Sequence, residues 1–281
     1  MAARQRTKKK RGKRKATIAE TADRYELYEG SVYMPEADHD FLVKTYRKAH
    51  KRRPMRLRED FAGTSQLSAL WVDKHPDARA WAVDLDPEPM AWGKARHIDP
   101  LGKKAERLLQ LEENVLDVQT PLVDVVTAFN FSYWVFEERK LMLEYFRKVL
   151  AVLDEGGMFV VDLMGGPGAQ SECEEEREED DGFTYVWEQE VMDAITHHME
   201  CHIHFEFEDG SRMQDAFTYS WRLWSLAELR DVMYDAGFTR VDTYWEGTDE
   251  DGEGDGVFKR RKHAENEETF VAYLVAWKDR K

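Results

Sequence analysis

The sequence predicts an α/β chain: a mostly parallel sheet covered by helices on both faces, with a small antiparallel meander inserted into it. Three observations predict this. Between residues 55 and 164, short apolar runs alternate with helical-period segments across short joins, the pattern of a parallel sheet wound with helices. Two of those runs, Val123–Phe129 and Met158–Leu163, are apolar almost throughout, as strands buried on both faces must be. After residue 182 the period changes to two, the mark of half-buried antiparallel strands.

The elements follow in order. Residues 16–52 read as helical, with Tyr25, Tyr28 and Val32 on one stripe, Phe41, Leu42 and Tyr46 on another, and Pro35 between them. Met55–Asp60 is a short strand, Phe61-Ala62-Gly63-Thr64 a turn, and Ser65–Lys74 a helix carrying Leu67, Leu70 and Trp71. Ala80–Asp84 is the second strand, and Pro87–Arg96 a helix with proline in its first turn. Leu108–Leu111 and Val123–Phe129 are strands, Glu137–Leu153 is a long amphipathic helix ended by Gly156-Gly157, and Met158–Leu163 is a further strand. Glu172–Asp181 holds eight acids in ten positions and reads as a solvated loop. Phe183–Val191, Thr196–Glu206 and Arg212–Tyr219 alternate as three strands, with Asp209-Gly210 as a hairpin turn. Ser225–Ala236 is a helix with Ser225 and Glu228 spaced as a capping box and Gly237 as its stop. Thr239–Trp245 and Thr269–Trp277 are the last strands. The expected organisation is a disordered basic tail over 1–15, a helical cap over 16–54, an α/β domain over 55–164 and 223–281, and an inserted acidic loop and strand lid over 165–222.

Composition narrows the function. Residues 1–15 hold nine Lys or Arg and no acid, and the remaining 32 basic and 56 acidic residues leave the body at −24. A nucleic-acid binder presents a basic folded face, so only the tail offers an RNA contact. Two cysteines make no disulfide framework, no apolar run reaches membrane-span length, and the N-terminus lacks a secretion signal. A cytoplasmic protein is expected. Asp249, Asp251, Glu253 and Asp255 alternate beside glycines without the closing Glu of a calcium loop, and His202 and His204 share a strand face from which Cys201 points away. No metal site is expected.

Ligands of an α/β sheet bind beyond the carboxyl ends of its strands. Glu59-Asp60-Phe61-Ala62-Gly63-Thr64-Ser65 follow the first strand and Asp84-Leu85-Asp86-Pro87 the second, with Glu59 and Asp84 25 residues apart, about one strand–helix–strand unit. An acid ending the second strand is placed to bind ribose hydroxyls, a feature shared with dinucleotide-binding proteins.

From about residue 20 onward the chain resembles the class I S-adenosylmethionine-dependent methyltransferases. The segment Glu59–Ser65 stands where that family carries D-x-G-x-G-x-G, with Gly63 at the central glycine and Phe61 and Ser65 replacing the outer two. Val83–Glu88 resembles V-D-x-S-P-E, Glu113–Asp117 resembles G-D-x-x-D with Asn114 in place of the acid, and Leu153–Met158 resembles L-x-P-G-G. Trp224–Leu229 with Ala236-Gly237-Phe238 resembles the late S-x-x-E-L…A-G-F element. The resemblance implies a Rossmann-like sheet of seven strands with the last reversed, S-adenosylmethionine as cofactor and S-adenosylhomocysteine as product. It implies cofactor contacts from Glu59 at the methionine amino end, from Phe61, Ala62, Gly63 and Thr64 in the turn, and from Asp84, Leu85 and Asp86 at the ribose. Asn114, through its side-chain carbonyl, and Val115 would meet the adenine, and Asn130 and Phe131 the methyl end. Asn130-Phe131-Ser132-Tyr133 is similar to the N-P-P-Y motif of amino methyltransferases without its prolines, which makes Asn130 and Tyr133 the catalytic candidates. Acceptor contacts are expected from Tyr25, Tyr28, Tyr133, Trp134, Tyr219, Arg222 and Trp245. The expected activity is methyl transfer to a small molecule, on nitrogen. RNA methylation through the basic tail and non-catalytic cofactor binding are the alternatives. A dehydrogenase is disfavoured because the turn lacks the second and third glycines of G-x-G-x-x-G.

Overall fold

A computed structural model describes residues 15–247, 254 and 256–279. The basic tail up to Arg14, and Asp249, Asp251, Glu253 and Asp255 of the acidic loop, lie outside the described residues.

The main sheet is built from β1 (Arg56–Asp60), β2 (Arg79–Asp84), β3 (Leu108–Glu112), β4 (Val123–Ala128), β5 (Leu153–Gly165), β10 (Arg240–Trp245), β11 (Lys259–Arg261) and β12 (Phe270–Trp277), in the order β11-β10-β12-β5-β4-β1-β2-β3. β3, β2, β1, β4 and β5 run parallel, and β12 is reversed between β5 and β10. The eighth strand, β11, is the one not foreseen. It is three basic residues long and has no apolar alternation to reveal it; it pairs with the edge of β10, where Arg260 also meets Asp242 at 2.6 Å.

The helices divide between the two faces. α2 (Pro35–His50) and α3 (Gln66–Asp73) pack Leu42, Tyr46, Leu67 and Trp71 onto Leu57, Ala80, Val125 and Val160. α5 (Arg139–Val152) and α6 (Leu226–Ala236) pack Met142, Phe146, Leu229 and Met233 onto Val126, Phe159, Val161 and Leu274. Ser225 and Glu228 form the capping box at the head of α6, and Gly237 ends it in the left-handed conformation. α5 stops at Val152, ahead of Gly156-Gly157. Those glycines lie instead in an irregularity of β5, whose pairing with β4 jumps from Val123↔Leu153 to Val125↔Met158.

The inserted sheet has four strands rather than three: β6 (Cys173–Glu179), β7 (Phe183–Gln189), β8 (His198–Phe207) and β9 (Arg212–Arg222). The acidic run read as a loop is the strand β6. An edge strand needs only its backbone paired on one side, and its carboxylates stand in solvent, where charge also discourages further pairing. α1 (Arg24–Val32) packs Leu27 against Phe183, Ile203 and Phe205 of this sheet.

Candidate functional site

β1 lies between β4, which leads to β5, and β2, which leads to β3, so the chain changes winding direction at β1. Ligands bind at such a switch point, where loops diverge and leave a crevice. Tyr33, Asp38, Glu59, Phe61, Phe129 and Asn130 line a cleft there.

The turn after β1 forms the cleft wall. Phe61, Gly63 and Ser65 take φ of 56°, 49° and 61°, so all three positions occupied by glycine in the resembling motif carry left-handed backbone, although only one is glycine. Hydrogen bonds hold the turn: Ala62 N to Val83 O at 3.0 Å, Ser65 N to Ala62 O at 2.7 Å, and Gly63 N to Asp84 Oδ2 at 2.7 Å. Asp84 Oδ1 accepts the Asp86 N–H at 2.9 Å, and Asp86 in turn caps α4 (Pro87–Gly93) by accepting from Glu88 N. Leu85, between the two acids, is 64% exposed. A Cβ built on Gly63 would meet only the Tyr33 hydroxyl, at 3.8 Å, whereas one on Gly93 would stand 1.8 Å from Thr64 O. α4 thus seats its Gly93 directly on the turn. In the sequence Gly93 carries only a weak signal, a glycine inside a helical stretch.

β1 sends alternate carboxylates to opposite faces. Glu59 accepts from Ser68 N at 3.0 Å and Ser68 Oγ at 2.5 Å, and burial pushes its carboxyl up to about 7. Asp60 meets Arg58 Nε at 2.5 Å and the Tyr145 hydroxyl at 2.9 Å, and burial raises its carboxyl despite the Arg58 charge. Arg58, itself fully buried, also donates to Val115 O at 3.0 Å, so this pair holds the loop after β3 in place. Arg58 was not singled out in the sequence, where it reads as an ordinary strand residue. Asn114 Oδ1 accepts the Leu116 N–H at 2.9 Å in a tight local turn, which fixes the side chain and leaves its second lone pair open.

The loop after β4 is held from β5. Asp162, raised by burial to about 7, accepts from Asn130 N at 2.7 Å and Phe131 N at 3.1 Å, and both donors have φ of 55°. Asn130 remains on the cleft. Tyr133 and Trp134 do not: both are fully buried, and the Tyr133 hydroxyl donates to Asp162 O at 2.7 Å. This corrects their placement at a catalytic or acceptor site, because the short helical turn over Ser132–Val135 rotates both rings into the core. Tyr133→Phe is expected to lower stability by about 1 kcal/mol and leave cofactor affinity unchanged; denaturant unfolding and calorimetry check it, and an affinity loss would return the hydroxyl to the site.

The N-terminal cap closes over the turn. Asp23 accepts from Trp92 Nε1 at 2.6 Å, Arg24 pairs with Glu88 at 2.9 Å, and Glu29 meets Thr64 Oγ1 at 2.5 Å and His97 Nε2 at 2.7 Å. His97 reaches Glu29 from the wide π turn Lys94–Ile98 that follows Gly93. Tyr25 is buried between Trp92 and Phe217, so it packs the cap rather than facing the cleft. Tyr28 packs on Phe217 and Tyr33, and its hydroxyl, pushed by burial up to about 12, hydrogen-bonds that of Tyr219. Tyr219 stacks on Trp221 at 4.3 Å, and Trp221 reaches Phe131, so the strand lid meets the loop after β4. Arg222 lies over the Trp224 ring at 3.8 Å and donates to Glu137 O and Glu228 Oε1, both at 3.0 Å. It fastens β9 to the head of α6 and does not line the cleft, which corrects its expected acceptor role. Trp245, at the end of β10, stacks on Phe270 at 4.2 Å and donates to Glu267 at 3.3 Å. His204 lies between Glu188 and Asp215 N, both at 2.8 Å, and no group of three or more ligand-type side chains among the described residues is placed to hold a metal ion. No helix among them is long and apolar enough to cross a membrane.

Neither a protein-family model nor a curated protein sequence matches the chain. Solved structures do. An S-adenosylmethionine-dependent methyltransferase from Clostridium acetobutylicum superposes with a TM-score of 0.65 at 17% identity, over 90% of this chain and 97% of that one. CalS10, an amino pentose methyltransferase from Micromonospora echinaspora involved in calicheamicin biosynthesis, gives 0.61 at 14% identity over 90% and 97%. KedS8, a sugar N-methyltransferase from a Streptoalloteichus species, gives 0.59 at 16% identity over 99% of both chains. The chain therefore has the α/β fold of S-adenosylmethionine-dependent methyltransferases, with the four-stranded sheet set into it.

Proposed function

We propose that the chain is an S-adenosylmethionine-dependent methyltransferase acting on a nitrogen atom of a small molecule. The observation that carries this reading is the turn after β1, where Phe61, Gly63 and Ser65 hold left-handed backbone while Asp84 of β2 holds the Gly63 N–H. Non-glycine residues in that conformation cost about 1–3 kcal/mol each and persist at ligand sites, where the surroundings enforce them.

The residues present fit the cofactor. Gly63 leaves its backbone open toward the cleft, and each Asp84 oxygen keeps a lone pair for a ribose hydroxyl beyond its present hydrogen bond. Exposed Leu85 offers an apolar surface beside it. When bound, S-adenosylmethionine supplies a methyl group activated by its sulfonium. The chain contributes alignment and exclusion of water, through the Asn130–Phe131 loop below and the α1 cap above. Charge supports a nitrogen acceptor: Asp38, Glu59 and Asp162 face one another closely enough for Asp38 to raise the other two, and no Lys or Arg is among the described residues lining the cleft. Such a site favours cations, both the sulfonium donor and an ammonium acceptor. The amino pentose and sugar N-methyltransferases among the similar structures support the same class.

Isothermal titration with S-adenosylmethionine and S-adenosylhomocysteine tests the reading. Micromolar binding of both is expected, and binding of neither would end it. A pH dependence follows from the cleft. Glu59 and Asp162 titrate near 7 when folded and near the ordinary carboxylate value when unfolded. Their favourable contribution is therefore present below the unfolded value and lost as pH rises through about 7. The melting temperature of the unliganded chain is expected to fall as pH rises from about 5 to about 7 and to level off above that, and binding of the cationic cofactor near pH 7 to release protons. Titration in buffers of differing ionisation enthalpy measures the release, and proton uptake would contradict the arrangement.

A further inference from the structure

Apart from Asp38, the carboxylates at the cleft and beside it are committed, Asp60 to Arg58 and Tyr145 and the remaining two to the chain around them. Glu59 accepts the N–H and hydroxyl of Ser68, and Asp162 accepts the N–H groups of Asn130 and Phe131. Asp38 is placed differently. It stands in the first turn of α2, where an acid ordinarily points to water and complements the helix dipole. Here it turns inward and lines the cleft with Tyr33, Phe61, Phe129 and Asn130. Its Oδ1 accepts from the Tyr273 hydroxyl of β12 at 2.7 Å, and among the described residues Oδ2 has no hydrogen-bond partner. The titratable groups that face it from the surrounding elements are Tyr33 beyond α1, Glu59 of β1, Asp162 of β5 and Tyr273 of β12, and none is a cation. Asp38 is half-buried, and a carboxylate at such depth with one oxygen open to the cleft and no counter-ion is costly to keep charged. Structure retains such a group where a ligand completes it.

We propose that Asp38 is a catalytic residue, the carboxylate that removes the proton from the acceptor ammonium before methyl transfer. The assignment rests on the methyltransferase reading above. The acceptor enters as R–NH3+, and its proton passes to Asp38 Oδ2, giving R–NH2 and a neutral carboxyl. The freed nitrogen lone pair forms the new N–C bond as the S–CH3 bond breaks and its electron pair stays on sulfur. The product leaves as R–NH2+–CH3, and Asp38 returns its proton to solvent. Burial pushes the Asp38 carboxyl up to about 6, which makes it a stronger base than an exposed aspartate while leaving it ionised at neutral pH. Asn130, the other polar side chain at this end, has no basic site for the proton. Glu59 or Asp162 would have to take it while accepting two hydrogen bonds that favour their charged forms.

Sinefungin tests this without knowledge of the acceptor, since it carries an amine where the cofactor carries its methyl. The wild-type chain is expected to bind sinefungin about ten- to a hundredfold more tightly than S-adenosylhomocysteine at pH 7.5, as suits an ammonium meeting a half-buried carboxylate. Asp38→Asn keeps an acceptor for Tyr273. It should leave S-adenosylhomocysteine affinity within about twofold and reduce the preference for sinefungin about tenfold. A preference undiminished in Asp38→Asn overturns the assignment. Should that variant not fold, the wild-type chain still decides: its preference must fall as pH is lowered through about 6, and a ratio constant down to pH 5 overturns it. Wild-type chain that binds neither compound refutes the methyltransferase reading itself, a result distinct from equal binding of both, which refutes Asp38 alone.

Discussion

Gly93→Ala is expected to lower stability by about 3 kcal/mol and to weaken cofactor binding more than tenfold. The added methyl would stand 1.8 Å from Thr64 O, 2.5 Å from Thr64 C and 2.6 Å from Thr64 Cα. These are backbone atoms, so no side-chain rotation relieves the overlap, and α4 or the turn must shift. Overpacking of a rigid contact costs about 1–3 kcal/mol and occasionally more, and this overlap lies at the severe end. A shift of Thr64 carries Gly63 and Ser65 with it and moves the N–H that Asp84 holds. Urea unfolding and titration with S-adenosylhomocysteine measure the two effects, and a variant with wild-type values in both would mean that α4 does not press on the turn.

Asp84→Ala is expected to cost about 2–3 kcal/mol of cofactor affinity, about thirty- to 150-fold. The carboxylate holds Gly63 N and Asp86 N at once, so its removal strands two N–H groups beside the cleft as well as deleting the proposed ribose contact. Asp84→Asn keeps a carbonyl for one of those donors and should lose less. Equal losses in the two variants would assign the effect to charge rather than to the shape of the turn; unchanged affinity in both would remove Asp84 from the ribose.

The framework was legible because strand and helix periods are written in apolar spacing. Val123–Phe129 and Met158–Leu163 could be nothing but buried strands, and the Ser225–Glu228 pair marks the head of α6 through local hydrogen bonds that sequence alone specifies. β6 and β11 were not legible. Both are edge strands made of charged residues, and what makes them strands is a partner distant in the chain. The site divides the same way. That Gly63 and Asp84 stand at the carboxyl ends of β1 and β2 could be read from the spacing. Tyr133 could not, since the sequence does not say that the helical turn after Asn130 rotates its ring inward. Nor could Arg222, since the sequence does not say that Glu228 at the head of α6 claims it. Asp38 was hidden because a first-turn acid usually serves its own helix, and only the packing of α2 against β12 turns it to the cleft.

If the crevice holds the proposed ligands, the ties between α1 and the α4 region are expected to set how quickly they exchange. Trp92, Glu88, Thr64 and His97 all hold α1 down on the wall of the crevice. A ligand seated beneath Tyr33 can leave only after several of these contacts open together. Residence time then becomes a property of the latch rather than of the ligand's own affinity. Arg24–Glu88, the most solvent-accessible of the ties, makes the latch responsive to ionic strength. On the proposed methyltransferase reading, opening of that latch to release the spent cofactor is expected to limit overall speed, as product release does in many enzymes.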